Sequence, residues 1–556
     1  MTVGIDLGTT NSLVGMVDDG QVRLVPNRRG SVLTPSVVGL DPRGELLVGE
    51  AARNQVVGAP NRTLRLLKRT MGERTTLALG EDRISPEEGS AAILAALRRD
   101  VAQFTGGPSP DHAVITVPAH FDDRQRNATV EAGLLAGFRE VRLLNEPTAA
   151  ALPYAARERD RERILVFDFG GGTLDITCLE RREDEFFVAA TVGDGNLGGE
   201  DIDEILFDRL AREVESQTGF DVTGDPAIEQ MVRNLAENAK RELSDLEITN
   251  VALPFVAGSG GMAHVSVDLT RDELEEAIIP VVDRALAMTA EAVHDAGFHR
   301  DGFETLILAG GSSRLPVIRR RLAEVYPVSI ATRINPEEVV AVGATQLAES
   351  RRSGRFSLHD VVSGTLALEL ADGSCVPIVN RNQTIPTRRS RVFTTVADGQ
   401  QEAEIHLLQG DRPRAQQNRS LGRFVLAGLP SAARGEPRIE VSVEVNADGV
   451  VTVHAGDEES GISDEMVARA RPQELNQPIR GKKNAWLASL IRRARILRDH
   501  APAGLGVELA EVIALAEDVR SSGEWDSTIT VLETLILEIT ARAMTRGGSG
   551  GGDADR

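Results

Sequence analysis

Apolar positions along this chain follow two periods, and the places where the period changes divide it. Up to about residue 350, short apolar runs bounded by Gly, Asp, Asn and Pro alternate with long amphipathic segments such as Ser85–Phe104 and Glu200–Gln217. Runs between turn residues predict strands, three-and-four spacing predicts helices, and their alternation predicts an α/β domain over 1–350. The polar stretch ESRRSGRFSLHD predicts a linker over 351–364. Period-2 alternation then takes over, as in EAEIHLLQG and RIEVSVEVNADGVVTVHAG, where Asp448-Gly449 is a hairpin turn signal. A compact all-β domain is expected over 365–460. From Ile462 the spacing becomes helical, in LASLIRRARIL and VELAEVIALAEDV. Pro472, Pro478, Pro502 and Gly504 predict that the 461–546 segment is cut into short helices. The glycine-rich end, 547–556, predicts a disordered tail.

Composition narrows the class. A chain of 556 residues exceeds one ordinary core, so several domains are expected. A formal charge of −22 argues against nucleic acid as a partner. Two cysteines, Cys178 and Cys375, each inside an apolar run, argue against a disulfide framework and for a reducing, cytoplasmic setting. The first residues lead straight into a strand with no signal-peptide pattern, and no apolar run is long enough for a membrane span. Lysine is rare: only Lys68, Lys240, Lys482 and Lys483 stand among 62 basic residues. Either chance or a need for a compact ammonium explains the first two.

Two segments carry candidate chemistry in duplicate. VGIDLGTTNSLVGM (Val3 to Met16) and ILVFDFGGGTLDITCLE (Ile164 to Glu180) share one order: apolar strand, Asp, Gly with Thr or Ser, apolar strand. Glycine lets backbone N–H groups approach phosphate oxygens, threonine adds donors, and aspartate suits a hydrated cation. Two such hairpins facing each other suit a triphosphate held from both sides. No G-x-x-x-x-G-K-[ST] occurs, so a P-loop is excluded. TLILAGGSSRLPVI (Thr305 to Ile318) runs a strand into Gly310-Gly311 and a helix start. It suits a ribose or base, or is an ordinary strand-to-helix turn.

GIDLGTTNS, AVITVPAHFDDRQRNATVEAG, RLLNEPTAAAL, DFGGGTLDI, GDGNLGGEDID, ENAKRELS and LAGGSSRLP resemble, in order, the ATPase motifs of the heat-shock-protein-70 chaperones. NRNQTIPT, LLQGDRPRAQQNRSLGRF and VEVNADGVVTVHA resemble that family's substrate-binding domain. The resemblance implies an α/β actin-like ATPase domain of two lobes with a duplicated ribonuclease H-like core, then a β-sandwich and a helical lid. It implies ATP and ADP as ligands with Mg²⁺, and admits K⁺.

By motif, the resemblance places Asp6, Gly8, Thr9, Thr10 and Asn11 at the phosphates from the first hairpin. Asp168, Gly170, Gly171, Gly172, Thr173 and Asp175 serve from the second, with Gly198 and Gly199 beside them. Lys68, Glu146, Thr173, Asp6 and Asp175 are the implied catalytic set, and Asp6, Asp168 and Glu146 the carboxylates facing Mg²⁺ through water. Glu237, Lys240, Arg241, Ser244, Gly310, Gly311, Ser312, Arg314 and Glu337 are the implied nucleoside contacts. Pro118, Arg126 and Asp360, with Val361, are the implied relay to the β-domain. Leu368, Phe393, Ala403 and Ile405 are the implied peptide pocket, although read alone they are simply inward-facing strand residues. Client polypeptides, a J-domain cochaperone and an exchange factor are the implied partners, and a monomer is expected.

Departures from the family pattern carry expectations of their own. SLHDVV keeps one leucine, Leu358, so less apolar linker is available to dock. His120 stands where tyrosine is usual, near the implied J-domain surface. The Met71 to Ala113 interval is short. After VTVHAGDEES the chain passes directly to GISDEMV, so the β-domain is expected to lack its last strand, and the lid is expected to be small. Competing readings are an actin-like filament protein, a small-molecule kinase on the same fold, and a scaffold with little peptide binding.

Overall fold

The computed structural model describes residues 1–154, 161–258, 261–331, 333–353, 357–362, 364–446, 449, 451–457, 462–467, 480–501, 503–522 and 526–545. Asp448, Trp525 and the expected tail lie outside them.

Two six-stranded mixed sheets form the amino-terminal part, and they share one arrangement. In the first, the antiparallel run Thr2–Leu7, Asn11–Asp18, Gln21–Leu24 is extended on its other side by parallel His112–Val117 and Glu140–Asn145. In the second, the antiparallel run Arg161–Phe169, Leu174–Arg182, Glu185–Asp194 is extended likewise by parallel Thr305–Ala309 and Ile330–Ala331. Each acidic hairpin is therefore the first antiparallel pair of its own sheet. An apolar run gives a strand buried on both faces, as in Arg161–Phe169, which is buried throughout from Ile164.

Helix Val339–Ser353 follows the second sheet in the chain but packs on the first hairpin. Gly4 permits this contact, because a Cβ there would come within 2.2 Å of the Thr345 backbone nitrogen. Ala149, Ala150 and Ala151, Ile164, Val166 and Ile307, with Val339 and Ala344, fill the seam between the sheets.

The β-domain is two four-stranded sheets enclosing one apolar cluster. Alternate residues of Ile439–Val445 point inward as the period-2 pattern requires. One expectation fails here. Ile462–Val467 is a strand, paired antiparallel with Val451–Asp457 along the sheet edge, so the last strand is present. Ile462 and Met466 are four apart, a spacing that suits a helix turn and a strand face alike. The open hydrogen-bonding edge of Val451–Asp457 decides between them.

The helical region also differs from expectation. It forms three helices of 18 to 20 residues, Arg480–Leu497, Ala503–Ser522 and Asp526–Thr545, rather than short pieces. Gly504 falls in a first turn, where intrahelical bonds are not yet required. These helices pack against the amino-terminal part. Trp486, Leu490, Leu532 and Ile536 share one apolar cluster with Ile93, Leu97, Val130 and Leu134.

Candidate functional site

The strand-to-turn tips of both hairpins converge on one cleft of about 270 Å³. From the first hairpin come Asp6, Gly8, Thr9, Thr10 and Asn11; from the second, Asp168, Gly170, Gly171 and Thr173. The tips nearly touch: a Cβ on Gly171 would lie 1.9 Å from Thr10 Oγ1. Only glycine fits there, which is why the second hairpin needs its glycine run. Thr10 Oγ1 is buried without a partner among the described residues.

Lys68 sits in a short 3₁₀ turn whose preceding residue, Leu66, takes a left-handed conformation (φ 58°) that turns the chain into the cleft. Its ammonium pairs with Glu146, the first residue of helix Glu146–Ala151. Asp6 accepts from Thr116 Oγ1 at 3.2 Å, and Asp168 lies directly across the second hairpin from Asp175. Four buried carboxylates thus share one lysine. Burial holds Glu146 up near pH 7 despite Lys68, with Asp6 and Asp175 adding repulsion. Asp168 is raised well above the usual range, first by burial and then by Glu146, Asp175 and Asp6. Asp6 is also raised by burial, against the pull of Lys68. Such an excess of buried negative charge is what a bound cation would relieve.

The other side of the cleft is lined by Glu237, Lys240, Arg241 and Ser244 from helix Pro226–Asp245 and by Gly310, Gly311, Ser312, Arg314 and Glu337. Gly310 has φ 77° and lies against Phe169 O, letting the Gly310–Gly311 turn approach the second hairpin. Lys240 binds Asp203 at 2.7 Å and Gly199 O at 3.0 Å, so the second rare lysine braces the glycine turn. Gly172, Gly198 and Gly199 stand just behind the lining, Gly172 against Thr9 and Gly198 against Gly171. Asp175 is also behind it, bonded to His120.

Motif reading missed the apolar walls, Leu13, Leu33, Leu315, Pro336 and Val340, which carry no signal beyond being apolar. It also missed Arg65 and Arg69, which cross the cleft to Glu237 (3.4 Å) and Asp201 (3.2 Å). Their place beside the rare Lys68 was the available clue.

The expected relay residues come together at the domain junction. Arg126 donates to Asn145 Oδ1 at 2.6 Å, and Asn145 Nδ2 donates to Asp360 Oδ2 at 2.6 Å. Asn145, adjacent to Glu146, was not singled out from the sequence. Pro118 begins the turn that leads to Arg126, its carbonyl accepting from Phe121 N. The linker residues Ser357–His359 add a parallel strand to the second sheet beside Glu185–Asp194. Leu358 packs at the inter-sheet seam and Val361 is buried there, so the linker is held by apolar contact as well as by backbone pairing.

Leu368, Phe393, Ala403 and Ile405 line one cavity of about 410 Å³ in the β-domain, with Ile439 and Val441 as its floor. Glu369 and Glu404 at its rim are bridged by Arg423. Among the described residues, none of the 480–545 helices contributes to that lining.

A family model described as Hsp70 protein matches residues 2–78 and 75–480. The chain belongs to the Hsp70 family. It is 41% identical over 488 residues to the chaperone protein DnaK of Thermotoga neapolitana, covering 86% of this chain and 82% of that one. It is 40% identical over 494 residues to the DnaK of Thermosipho melanesiensis, covering 86% and 83%. Its activity is accordingly that of an ATP-dependent chaperone, with an actin-like ATPase domain, a β-sandwich and a helical segment. Among the described residues no helix is long and apolar enough to cross a membrane.

Proposed function

We propose that the cleft hydrolyses ATP to ADP and phosphate and that the β-domain cavity binds exposed apolar segments of client polypeptides under its control. Convergence of both hairpins on Lys68 carries this reading. In it, the two sheets are the two lobes of a duplicated ribonuclease H-like core, one phosphate hairpin from each. Leu33, Pro336 and Val340 with Arg241 would hold the base, and Thr9, Thr10, Gly170, Gly171 and Thr173 the phosphates. The water oxygen bonds to the γ-phosphorus as the bond to the β–γ bridging oxygen breaks. ADP leaves with that electron pair, and the water's protons pass to phosphate and solvent. Lys68 would stabilise charge on the γ-oxygens, while Glu146 would orient the water and Asp175, just behind the lining, would add negative charge to the reacting centre.

Asp6, Asp168 and Glu146 fit Mg²⁺, because burial raises all three and repulsion from neighbouring carboxylates adds to it at Asp168 and Glu146. No three His, Cys, Asp or Glu among the described residues group tightly enough to grip a bare ion, so the contact would run through water. When bound, Mg²⁺ supplies charge neutralisation across the β- and γ-phosphates.

Pro118, Arg126, Asn145 and Asp360 would couple nucleotide state to the β-domain. Apolar Leu368, Phe393, Ala403 and Ile405 would take one client side chain, with the helices 480–545 as the lid segment. A cytoplasmic monomer working with a J-domain partner and an exchange factor fits this reading. The β-domain cavity favours a chaperone over a filament protein. Two measurements test it. Lys68→Ala is expected to cut phosphate release by about 10²-fold or more. ATP is expected to weaken affinity for a leucine-rich heptamer flanked by arginines, measured with Glu146→Ala to hold the ATP state. Equal affinity with ATP and ADP would remove the coupling, and no binding at all would remove the client role.

A further inference from the structure

His120 does not face outward. Its ring lies beneath the second hairpin, where Nδ1 is 3.0 Å from Asp175 Oδ1, and its backbone N–H donates to the same oxygen at 3.3 Å. An ionised carboxylate only accepts, so a neutral ring must carry its proton on Nδ1 to make that bond. The other oxygen, Asp175 Oδ2, is buried without a partner among the described residues. The space is shaped for the ring: a Cβ on Gly193 would lie 2.6 Å from Nδ1 and 2.7 Å from Asp175 Oδ1, and one on Gly195 would lie 3.0 Å from Nε2.

We propose that His120 is a positioning residue for hydrolysis: it holds Asp175 in place behind the cleft by one oxygen, and through its own ionisation tunes the negative charge that this carboxylate presents to the reacting centre. This rests on the assignment of Asp175 to the reacting centre. A neutral His120 leaves Asp175 its full negative charge. An imidazolium neutralises much of that charge and weakens the field that the carboxylate sends into the cleft. Turnover should therefore rise with pH as His120 loses its proton.

The charged groups around the ring set where that happens. Asp175 faces it from the second hairpin, Glu146 and Lys68 from the catalytic side, and Asp122 lies on its own loop. Arg126 from the helix after that loop feels Asp175 as well, and Asp194, next to Gly193, is paired with Arg284. Burial alone would lower the imidazole's pKa. The charge and hydrogen bond of Asp175, with Glu146, outweigh burial and Lys68 and raise it above the usual value of 6.5.

The test is single-turnover hydrolysis of ATP by the full chain between pH 5.5 and 9, for wild type, His120→Asn and His120→Phe, with nucleotide affinity measured alongside. Asparagine keeps an N–H donor for Asp175 but cannot ionise; phenylalanine offers none. Wild type is expected to speed up several-fold across an inflection above pH 6.5. His120→Asn should run near the fast wild-type limit and keep only the shallower rise that belongs to Glu146, held near 7 by burial, and His120→Phe should be about tenfold slower at every pH with affinity retained. An identical pH profile in His120→Asn, or a wild-type rate in His120→Phe, would overturn the proposal. If His120→Phe fails to fold, the His120→Asn profile decides alone. Absence of hydrolysis in wild type would instead strike the underlying site assignment.

Discussion

Two surfaces of the ATPase region carry the rest of the molecule, and they are built on different physics. The β-domain docks through polar groups: Arg419 pairs with Asp122, Arg381 with Glu291 (3.0 Å) and Asp295, and Asn382 Oδ1 accepts from Thr191 N at 3.1 Å. The linker strand and the Arg126–Asn145–Asp360 chain complete it. The C-terminal helices dock instead through a shared apolar cluster around a buried charge. Arg493 makes a bidentate pair with Glu131 (2.6 and 2.7 Å) and approaches Glu87 at 3.4 Å, all three nearly inaccessible. Ser489 and Arg492 bind Glu88, whose carboxylate also caps helix Pro86–Thr105. Partly exposed ion pairs are worth little and are screened by salt, whereas apolar burial is not. The contrast predicts that salt and charge changes loosen the β-domain contact before the helical one.

Breaking the second surface should have the largest effect. Arg493→Ala leaves two carboxylates buried without their cation and is expected to cost about 3–5 kcal/mol. Thermal unfolding and protease cutting within 480–545 would report it; an unchanged melting point would make the helical dock as loose as the polar one. Next comes the pH dependence of β-domain docking. Burial raises Asp123 to about 7 against the pull of Arg126, and Asp123 lines a small cavity closed by Val445, Gly449 and Val451 of the β-domain. Undocking returns it toward about 3.9. The docked form therefore binds its proton more tightly. Docking is strongest below about pH 4 and weakens as pH rises through 7, roughly tenfold or more between pH 5 and 7.5. Distance measurement by fluorescence transfer between the domains should show that slope, and Asp123→Asn should flatten it.

Smaller effects sharpen the same contrast. Arg419→Ala and Arg381→Ala should each weaken β-domain docking by about 1 kcal/mol or less, and only at low salt. Equal losses at high salt would mean that the polar surface is effectively dry. Phe187 stacks on His359 of the linker strand with ring centroids 4.4 Å apart, so Phe187→Ala should loosen the linker by about 0.5–1 kcal/mol. Protease cleavage near the linker would measure it.

That the two hairpins share one cleft was largely legible beforehand, because both carry the same residue types in the same order. Asp6, Thr10, Gly171 and Thr173 cannot be exchanged for generic alternatives, so their spacing is itself a signal. The β-domain cavity was legible only by resemblance, since Leu368 and Ile405 look like any inward strand positions. The strand Ile462–Val467 was misread because a four-residue apolar spacing fits both periods. The contact of His120 with Asp175 was not legible, because nothing local to AHFDD shows which side of its loop meets the second hairpin.

By itself, then, the amino-acid order determined local matters: where the period changes, which turns need glycine, and which lysines are chemically singled out. Tertiary structure alone decided what meets across large separations in the chain. It brought Thr10 to Gly171, His120 to Asp175, Arg493 to Glu131 and the linker to the edge of the second sheet. The reason is physical. Local conformation follows from sterics and backbone hydrogen bonding within a few residues. Long-range partners are chosen by which surfaces bury apolar area while leaving few buried charges unpaired, and that balance is struck only when the whole chain has folded.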